Sequence, residues 1–295
     1  MSGCQIFPAD NVWNTPIDKL PVDAHSSGYI NSLGSDGQLH PYFGGYWRNA
    51  LAGKPYVVVS GDQPRVPVKF TYYRDSDPGP YPIPRDAPIE GGGLTDNSDR
   101  HVMVVDRDHC MLYEMYKAYP QADGSWTAGS GAIFDLNSNV LRPIPYTSAD
   151  AAGLPIFAGL VKYDEVGVFG EGVINHALRF TANRTRSEFL WPARHMDGST
   201  TDPNVPPMGQ RFRLKASFDI SGFPPQIKVI LQALKTYGMF LADNGTAWQL
   251  TGAADSRWDQ GMLTNELHRI HGHDFEAVDE SSLMIYQNSG QARQP

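Results

Sequence analysis

Two neighbouring apolar runs near the middle of the chain constrain its fold more than any other feature. Residues 99–106 and 110–116 are rich in β-branched and aromatic residues, and only a few polar residues separate them. This pattern is typical of a β-hairpin. If the turn centres on Arg107 and Asp108, counting along the two strands places His101 opposite Glu114. The sequence therefore predicts a hairpin with ionisable side chains facing each other at its open end.

The open end of this hairpin carries five polar or ionisable side chains, which are Asp99, Arg100, His101, Glu114 and Tyr116. Each ionisable group is costly to bury without a partner, so a strand pair that only stabilises a core has little use for them. Glycoside hydrolysis needs two carboxyl groups, and Glu114 and Asp99 are the expected pair, with His101 beside them. A uronate lyase would use His101, Arg100 and Tyr116 instead. The alternative without a catalytic role is that Arg100 only forms an ion pair at a sheet edge.

The distribution of glycine, proline and short strands predicts the fold class. The chain has 29 Gly and 23 Pro, which indicates many turns and few long helices. Helices are expected at residues 224–237 and 257–270, and a shorter one at 26–33. Around a dozen short strands favour a mainly β protein, with an antiparallel β-sandwich or jelly-roll-like core and two or three peripheral helices. We expect a single domain over residues 1–295, with an irregular N-terminal segment at 1–50 packed on it.

Charge and hydropathy limit the kinds of partner. The formal net charge is −8, and the sequence has no block of Lys or Arg residues, so a nucleic-acid partner is not expected. No window approaches the run of about 18 apolar residues that spans a bilayer, so a membrane partner is not expected either. A neutral or weakly cationic partner fits better, and a polysaccharide or oligosaccharide is such a partner. We expect the protein to be a monomer.

The two cysteines bear on location. Cys4 and Cys110 are the only cysteines, and a bridge between them would close a long loop and contribute roughly 4–5 kcal/mol. Two unrelated buried thiols are the alternative. The N-terminus lacks the basic and apolar segments of a signal peptide. We therefore expect either a cytosolic protein or the mature form of a secreted one, and we favour the second.

Four further residues are candidates for contacts with a sugar. Arg194 and His195 fall at the end of a predicted strand, next to the polar loop at residues 197–202. Trp47 and Trp126 lie in predicted loops, where their flat apolar faces could stack on sugar rings. Scattered aromatic residues also fill the cores of ordinary β proteins, so the two tryptophans alone are weak evidence for sugar binding.

Asp243 is a reserve carboxylate at a predicted turn. It precedes Asn244 and Gly245, which is the strongest short hairpin signal in the chain, between runs at 239–243 and 246–251. Turn chemistry alone also explains Asp243, because an aspartate before such a turn accepts backbone N–H bonds.

A histidine group near the C-terminus is the one pattern that suggests a metal. His268, His271, His273 and Asp274 offer imidazole and carboxylate ligands at short spacing. They also straddle the expected end of a helix, where cationic side chains are favourable. We expect neither a metal nor another cofactor.

Several segments resemble those of a family of secreted bacterial proteins to which no activity is assigned. The similarity runs along nearly the whole chain, and the segments that carry it are residues 7–15, 99–105, 191–195 and 208–215. The resemblance implies an extracellular location and transfers no catalytic residue. His271 and His273 are not part of the shared pattern.

The sequence thus leads to an extracellular polysaccharide-active enzyme as the first hypothesis, most specifically a glycoside hydrolase that uses a carboxylate pair. A metal-independent polysaccharide lyase is an alternative at the same site. A non-catalytic carbohydrate-binding or envelope-associated module is an alternative of a different class.

Overall fold

The computed structural model describes residues 3–47, 50–93, 98–167 and 172–295. Within these ranges, no helix has the length and apolarity needed to cross a bilayer. One continuous apolar core draws on residues from Phe7 near the start of the chain to Ala292 near its end.

The helices of the described residues are α1 Ser26–Leu33, α2 Tyr163–Val166, α3 Pro225–Thr236 and α4 Gln260–Leu267. In α3, apolar residues that recur every three or four positions, from Ile227 to Leu234, are buried on one face. The sequence predicted α1 and α3 well. Helix α4 is shorter than expected, because the carboxylate of Asp259 caps its first turn and excludes the residues before it.

The strands of the described residues form four sheets. In chain order they are β1 His40–Tyr42, β2 Tyr46–Trp47, β3 Ala50–Leu51, β4 Tyr56–Val59, β5 Val68–Phe70, β6 Val102–Asp106, β7 Met111–Tyr116, β8 Tyr119–Pro120, β9 Trp126–Ala128, β10 Ser130–Asp135, β11 Leu178–Ala182, β12 Arg211–Leu214, β13 Met239–Asn244, β14 Gln249–Thr251 and β15 Phe275–Ala277. The largest sheet has the spatial order β1-β14-β11-β13-β12-β15, and a second has the order β10-β7-β6-β4. The two smaller sheets are β5-β9-β8 and β2-β3.

The prediction of a β-rich protein with a few helices is confirmed, but the expectation of purely antiparallel pairing is wrong. Strand β11 pairs with β13 in parallel, as β4 does with β6, β5 with β9 and β1 with β14. A parallel pair needs a long connection, and the chain between β11 and β13 contains β12 and α3. The sandwich or jelly-roll layering stays a prediction.

The hairpin of β6 and β7 is buried on both faces. Met103 and Leu112 face the main core, whereas Val104 and Tyr113 face a second apolar cluster shared with the β5-β9-β8 sheet. Strands covered on both sides are expected to be almost continuously apolar, and every residue of β6 is buried. The few polar groups at the open end of this hairpin therefore border the interior of the protein.

The hairpin exists, but its register differs from the prediction by two residues. Met103, rather than His101, lies opposite Glu114. The turn is longer than expected because the Asp106 carboxylate accepts the N–H groups of Asp108 and His109. Since side chains alternate with a period of two, a shift of two residues leaves His101 and Glu114 on the same face of the sheet.

The hairpin predicted around Asn244 and Gly245 does not form. Strand β11 lies between β13 and β14, so these two strands do not pair with each other. The N–H of Gly245 donates instead to the carbonyl oxygen of Ala182, at the end of β11 (2.8 Å). The local turn signal was correct, but a third strand inserts beside it.

The predicted bridge between Cys4 and Cys110 is present, with 5.5 Å between the two Cα atoms. It joins the N-terminal segment to the turn end of the β6–β7 hairpin. The buried guanidinium of Arg211 anchors the same segment by donating to the carbonyl oxygens of Val12 (3.0 Å) and Thr15 (2.8 Å).

Candidate functional site

A cavity of about 480 Å³ lies at the open end of the β6–β7 hairpin. Four of the residues singled out from the sequence line it, namely Asp99, Tyr116, His195 and Asp243. Asp99 and Tyr116 come from the ends of the hairpin, and Asp243 comes from the end of β13 in the other large sheet. The cavity therefore lies where the two main sheets meet.

One wall of the cavity contains two aspartates that share an arginine. The same Nη2 atom of Arg179 lies 3.0 Å from Oδ2 of Asp150 and 3.6 Å from Oδ2 of Asp243. Arg179 and Asp150 are fully buried, whereas the side chain of Asp243 is 21% exposed. Arg179 also donates to Oγ1 of Thr251 (3.0 Å), which fixes the guanidinium in place.

Burial sets the protonation of these two aspartates. It raises the pKa of Asp150 above the usual range, and the neighbouring Asp243 raises it further although Arg179 opposes the shift. Burial also raises the pKa of Asp243, against the opposing effects of Arg179, Lys54 and His101, while Asp99 adds to the increase. Two carboxyl groups that share a single cation cannot both ionise easily. A carboxyl group at this wall therefore favours its protonated form.

A second charged network lies beside the cavity. The Nζ of Lys54 donates to Oε1 of Glu90 (2.9 Å) and lies 3.0 Å from Nδ1 of His101. Oε2 of Glu90 is 2.5 Å from the same ring nitrogen, and the hydroxyl of Tyr42 donates to Oε1 (2.9 Å). Burial alone would raise the pKa of Glu90, but Lys54 and His101 outweigh it and hold that pKa well below its usual range.

His101 supports the cavity without lining it. The ring is almost fully buried, and its Nε2 donates to the carbonyl oxygen of Ala149 (2.9 Å), a residue that lines the cavity. Its centroid lies 5.6 Å from that of the Tyr116 ring. His101 was expected beside the catalytic carboxyl pair, but it is not among the residues that line the cavity and reaches the wall only through Ala149.

Glu114 is also placed differently from the expectation. It is fully buried, its Oε2 accepts the N–H of Ile156 (2.9 Å), and its Oε1 accepts the N–H of Phe157 (2.8 Å). Burial raises the pKa of this carboxyl despite the two backbone donors. Because both oxygens are occupied within the core, a sugar in the cavity has no path to Glu114.

Two predicted arginines make internal contacts rather than lining the cavity. Arg100 stacks its guanidinium over the ring of Tyr119 at 4.3 Å and donates to the carbonyl oxygen of Ala118. Arg194 donates to the carbonyl oxygens of Arg142 (2.6 Å) and Gln287 (2.7 Å) and to a side-chain oxygen in the same region. Both side chains are buried, as a guanidinium with several fixed acceptors can be.

Of the two tryptophans expected to stack on sugars, Trp126 is the one whose side chain is described, and it does not line the cavity. Trp126 is buried in the second apolar cluster, which closes the space between the β5-β9-β8 sheet and the hairpin. The side chain of Trp47 lies outside the described residues. The exposed aromatic side chains near the cavity are instead Tyr72, which lines it, and its neighbour Tyr73.

One group of side chains beside the cavity has the composition of a metal site. The ligand atoms of Glu90, Asp99 and His101 lie within 4.8 Å of one another. The ammonium of Lys54 contacts both Glu90 and His101, so a cation already occupies the position that a metal would need. These residues do not fit a metal, and we assign none to them.

Four residues of the two charged networks were not predicted from the sequence, namely Lys54, Glu90, Asp150 and Arg179. Arg179 is the one with a usable signal, because it stands in the apolar strand β11 and an arginine buried in a strand requires a carboxylate partner. Its partners are distant in the chain, so the spacing of residues does not reveal them.

A larger cavity of about 630 Å³ lies beside Cys4 and contains none of the predicted site residues. Three of its polar side chains contact one another. Glu165 lies 3.3 Å from Nζ of Lys162 and 3.0 Å from Nε2 of His176. Burial opposes ionisation of Glu165, but these two bases lower its pKa to about 2.

Comparison with known proteins adds no assignment. No family model, no curated protein and no solved structure matches this chain. The resemblance to a secreted bacterial family stays a prediction, and the functional argument depends on the cavity alone.

Proposed function

We propose that the protein is an extracellular polysaccharide-active enzyme, a glycoside hydrolase whose carboxyl pair is Asp243 and Asp99. The observation that supports this most is that both side chains line one cavity, where burial raises the pKa of Asp243. The pair expected from the sequence, Glu114 with Asp99, is replaced because Glu114 is sealed in the core. The disulfide is compatible with a location outside the cell, and we propose that the protein acts there as a monomer.

The two carboxyl groups are suited to different roles. A general acid needs a pKa above that of an ordinary carboxyl group, and burial shifts the pKa of Asp243 in that direction. Asp99 is exposed to the cavity, so it can act as the base that activates water or as the nucleophile. Asp99 also contributes to the raised pKa of Asp243, which places the two carboxyl groups within electrostatic reach of each other.

The charge of the cavity favours a neutral or cationic glycan. Carboxyl groups of five aspartates line it, and none of its described lining residues is Lys or Arg; the aspartates are Asp75, Asp99, Asp150, Asp197 and Asp243. A polymer of uronates would be repelled here, which argues against the lyase alternative. Burial and Asp99 raise the pKa of Tyr116, so this phenol is also poorly suited to act as a base.

The test compares Asp243→Asn and Asp99→Asn with Asp86→Asn, a control at an exposed aspartate away from the cavity. Each protein is incubated with a panel of neutral, amino-sugar and uronate-containing polysaccharides, and reducing ends and unsaturated uronates are both measured. General acid–base catalysis contributes typically about 10²–10⁴-fold, so each site variant should lose at least about 100-fold in rate while the control keeps full activity. The melting temperatures should stay close to that of the wild type.

The proposal fails if Asp243→Asn and Asp99→Asn release reducing ends at the wild-type rate. It also fails if the wild type produces only unsaturated uronates, because that product identifies a lyase.

A non-catalytic carbohydrate-binding module is the second candidate, and the tyrosines at the cavity favour it. The side chains of Tyr72 and Tyr73 are 52% and 66% exposed, which leaves aromatic faces open for stacking on sugars. Binding of a glycan by calorimetry, with no product over long incubation, would support this candidate over the hydrolase. Tyr72→Ala should then weaken binding, whereas Asp243→Asn should have little effect.

A further inference from the structure

We infer that His271, His273 and Asp274 form a binding site for a divalent transition-metal ion such as Zn²⁺. One ligand atom from each residue lies within 4.8 Å of the other two. The three residues surround a short turn at Gly272–Asp274, which follows α4 and leads into β15. The site is separate from the cavity of the proposed hydrolase and does not depend on that function.

The hydrogen bonds of His273 prepare one of its ring nitrogens for a metal. Nδ1 lies 3.0 Å from the carbonyl oxygen of Ser35. A carbonyl oxygen can only accept, so Nδ1 carries the proton and Nε2 keeps its lone pair. Nε2 faces Oδ1 of Asp274 at 3.8 Å. Metal-binding histidines commonly donate their other ring N–H to a carbonyl oxygen, which fixes the tautomer in this way.

His271 supplies the third ligand of the proposed site. Its ring is parallel to that of His273, with 5.3 Å between centroids and an interplanar angle of 1°. Its Nδ1 lies 4.0 Å from Oδ2 of Asp274, an oxygen that already accepts the backbone N–H of His271 (2.8 Å). The carboxylate is therefore held between the two imidazoles by the backbone, before any ion binds.

The donor set selects the kind of ion. Two imidazoles and one carboxylate match Zn²⁺ and similar ions, whereas Mg²⁺ and Ca²⁺ prefer oxygen ligands alone. The side chains of His271 and His273 are 33% and 55% exposed, so an ion can enter and water can complete its coordination. Lys215 directs its ammonium to the carbonyl oxygen of His273 (2.7 Å).

The present separations are longer than those around a bound ion. Zn–N and Zn–O distances of about 2.0–2.2 Å require ligand atoms roughly 3–3.5 Å apart. The two imidazoles therefore have to move by about an ångström, which exposed side chains can do by rotation about χ1 and χ2. After this adjustment the three side chains can supply three ligands to one ion, and water can take the remaining coordination positions.

The experiment measures binding of Zn²⁺, and separately of Mg²⁺, to the metal-free full chain by calorimetry. The wild type should bind one Zn²⁺ ion at this site and no Mg²⁺. His271→Ala/His273→Ala should lose that Zn²⁺ ion, whereas His25→Ala/His109→Ala, which removes two exposed histidines elsewhere, should keep it. Replacing Zn²⁺ by Co²⁺ should give visible absorption that the first double variant lacks.

A second readout does not depend on stoichiometry. An ion that binds only the folded protein raises its melting temperature, so Zn²⁺ should raise that of the wild type and of His273→Asp but not that of His271→Ala/His273→Ala. The inference is overturned if the wild type binds no Zn²⁺, or if the double variant binds it as the wild type does. It is also overturned if Mg²⁺ binds equally well.

Discussion

Replacing Glu114 separates the structural role that we observe from the catalytic role that the sequence suggested. Glu114→Ala leaves the N–H groups of Ile156 and Phe157 without acceptors inside the core. A buried donor without a partner costs about 1–3 kcal/mol, so two of them cost about 2–6 kcal/mol. Removal of a carboxyl group whose burial is unfavourable offsets part of this cost. We therefore expect a loss in the free energy of unfolding of about 2–4 kcal/mol.

This loss converts to a measurable shift in melting temperature. The entropy of unfolding is about 2.1 cal/mol/K per residue, which gives about 0.6 kcal/mol/K for 295 residues. Glu114→Ala should therefore lower the melting temperature by about 3–6 °C. Glu114→Gln retains one acceptor oxygen, so its effect should be less than half as large.

The assay uses each variant twice, first in thermal or urea unfolding and then on any glycan that the wild type cleaves. Glu114→Gln should stay active at temperatures where it is folded, whereas Asp243→Asn should be inactive although folded. The reasoning is refuted if Glu114→Ala melts within about 1 °C of the wild type. A folded but inactive Glu114→Gln would return the catalytic role to Glu114.

Three further predictions concern the fold. Replacing Cys4 and Cys110 by serine removes a link across 106 residues and should cost about 4–5 kcal/mol in urea unfolding; an unchanged midpoint would contradict this. Burial raises the pKa of Glu280 to about 8, against the opposing effect of Arg211. The folded protein then holds more protons than the unfolded chain between about pH 4.5 and 8, so stability should fall as pH rises through that window, and Glu280→Gln should flatten the fall. Arg194→Lys should lower stability by about 1–3 kcal/mol because it loses the fixed set of donors to three oxygens, and a weakened affinity for glycan at unchanged stability would instead indicate contact with substrate.

Local patterns in the sequence predicted the elements whose hydrogen bonds join residues that are close together in the chain. Helix α3 follows from the spacing of its apolar residues, and the β6–β7 hairpin follows from two adjacent β-rich runs. The register of the hairpin depended on the Asp106 turn, which propensities alone do not resolve. An error of two residues preserves the alternation of faces, so His101 and Glu114 still lie on one face of the hairpin, but neither of them lines the cavity.

The remaining features depend on contacts between distant parts of the chain. The insertion of β11 between β13 and β14 depends on pairing across more than 60 residues, and no turn signal describes it. The partners of Arg179 come from a loop before β11 and from β13, so only the folded arrangement reveals that they meet. Asp243 was visible in the sequence as a turn residue, but its closeness to Asp99 was not.

The basic groups beside each carboxyl group explain why the pKa of Glu90 is lowered whereas those of Asp150 and Asp243 are raised. Glu90 lies between the ammonium of Lys54 and the imidazole of His101, with one carboxyl oxygen within hydrogen-bond distance of each. These two bases overcome the cost of burial and hold the pKa of Glu90 well below its usual range. Asp150 and Asp243 share Arg179, and although Lys54 and His101 also favour ionisation of Asp243, these bases do not overcome the cost of burying the two carboxyl groups. The wall beside Asp99 thus carries two carboxyl groups whose pKa values burial raises, and Asp243 is the one of these two whose side chain is partly exposed, as the proposed acid–base mechanism requires.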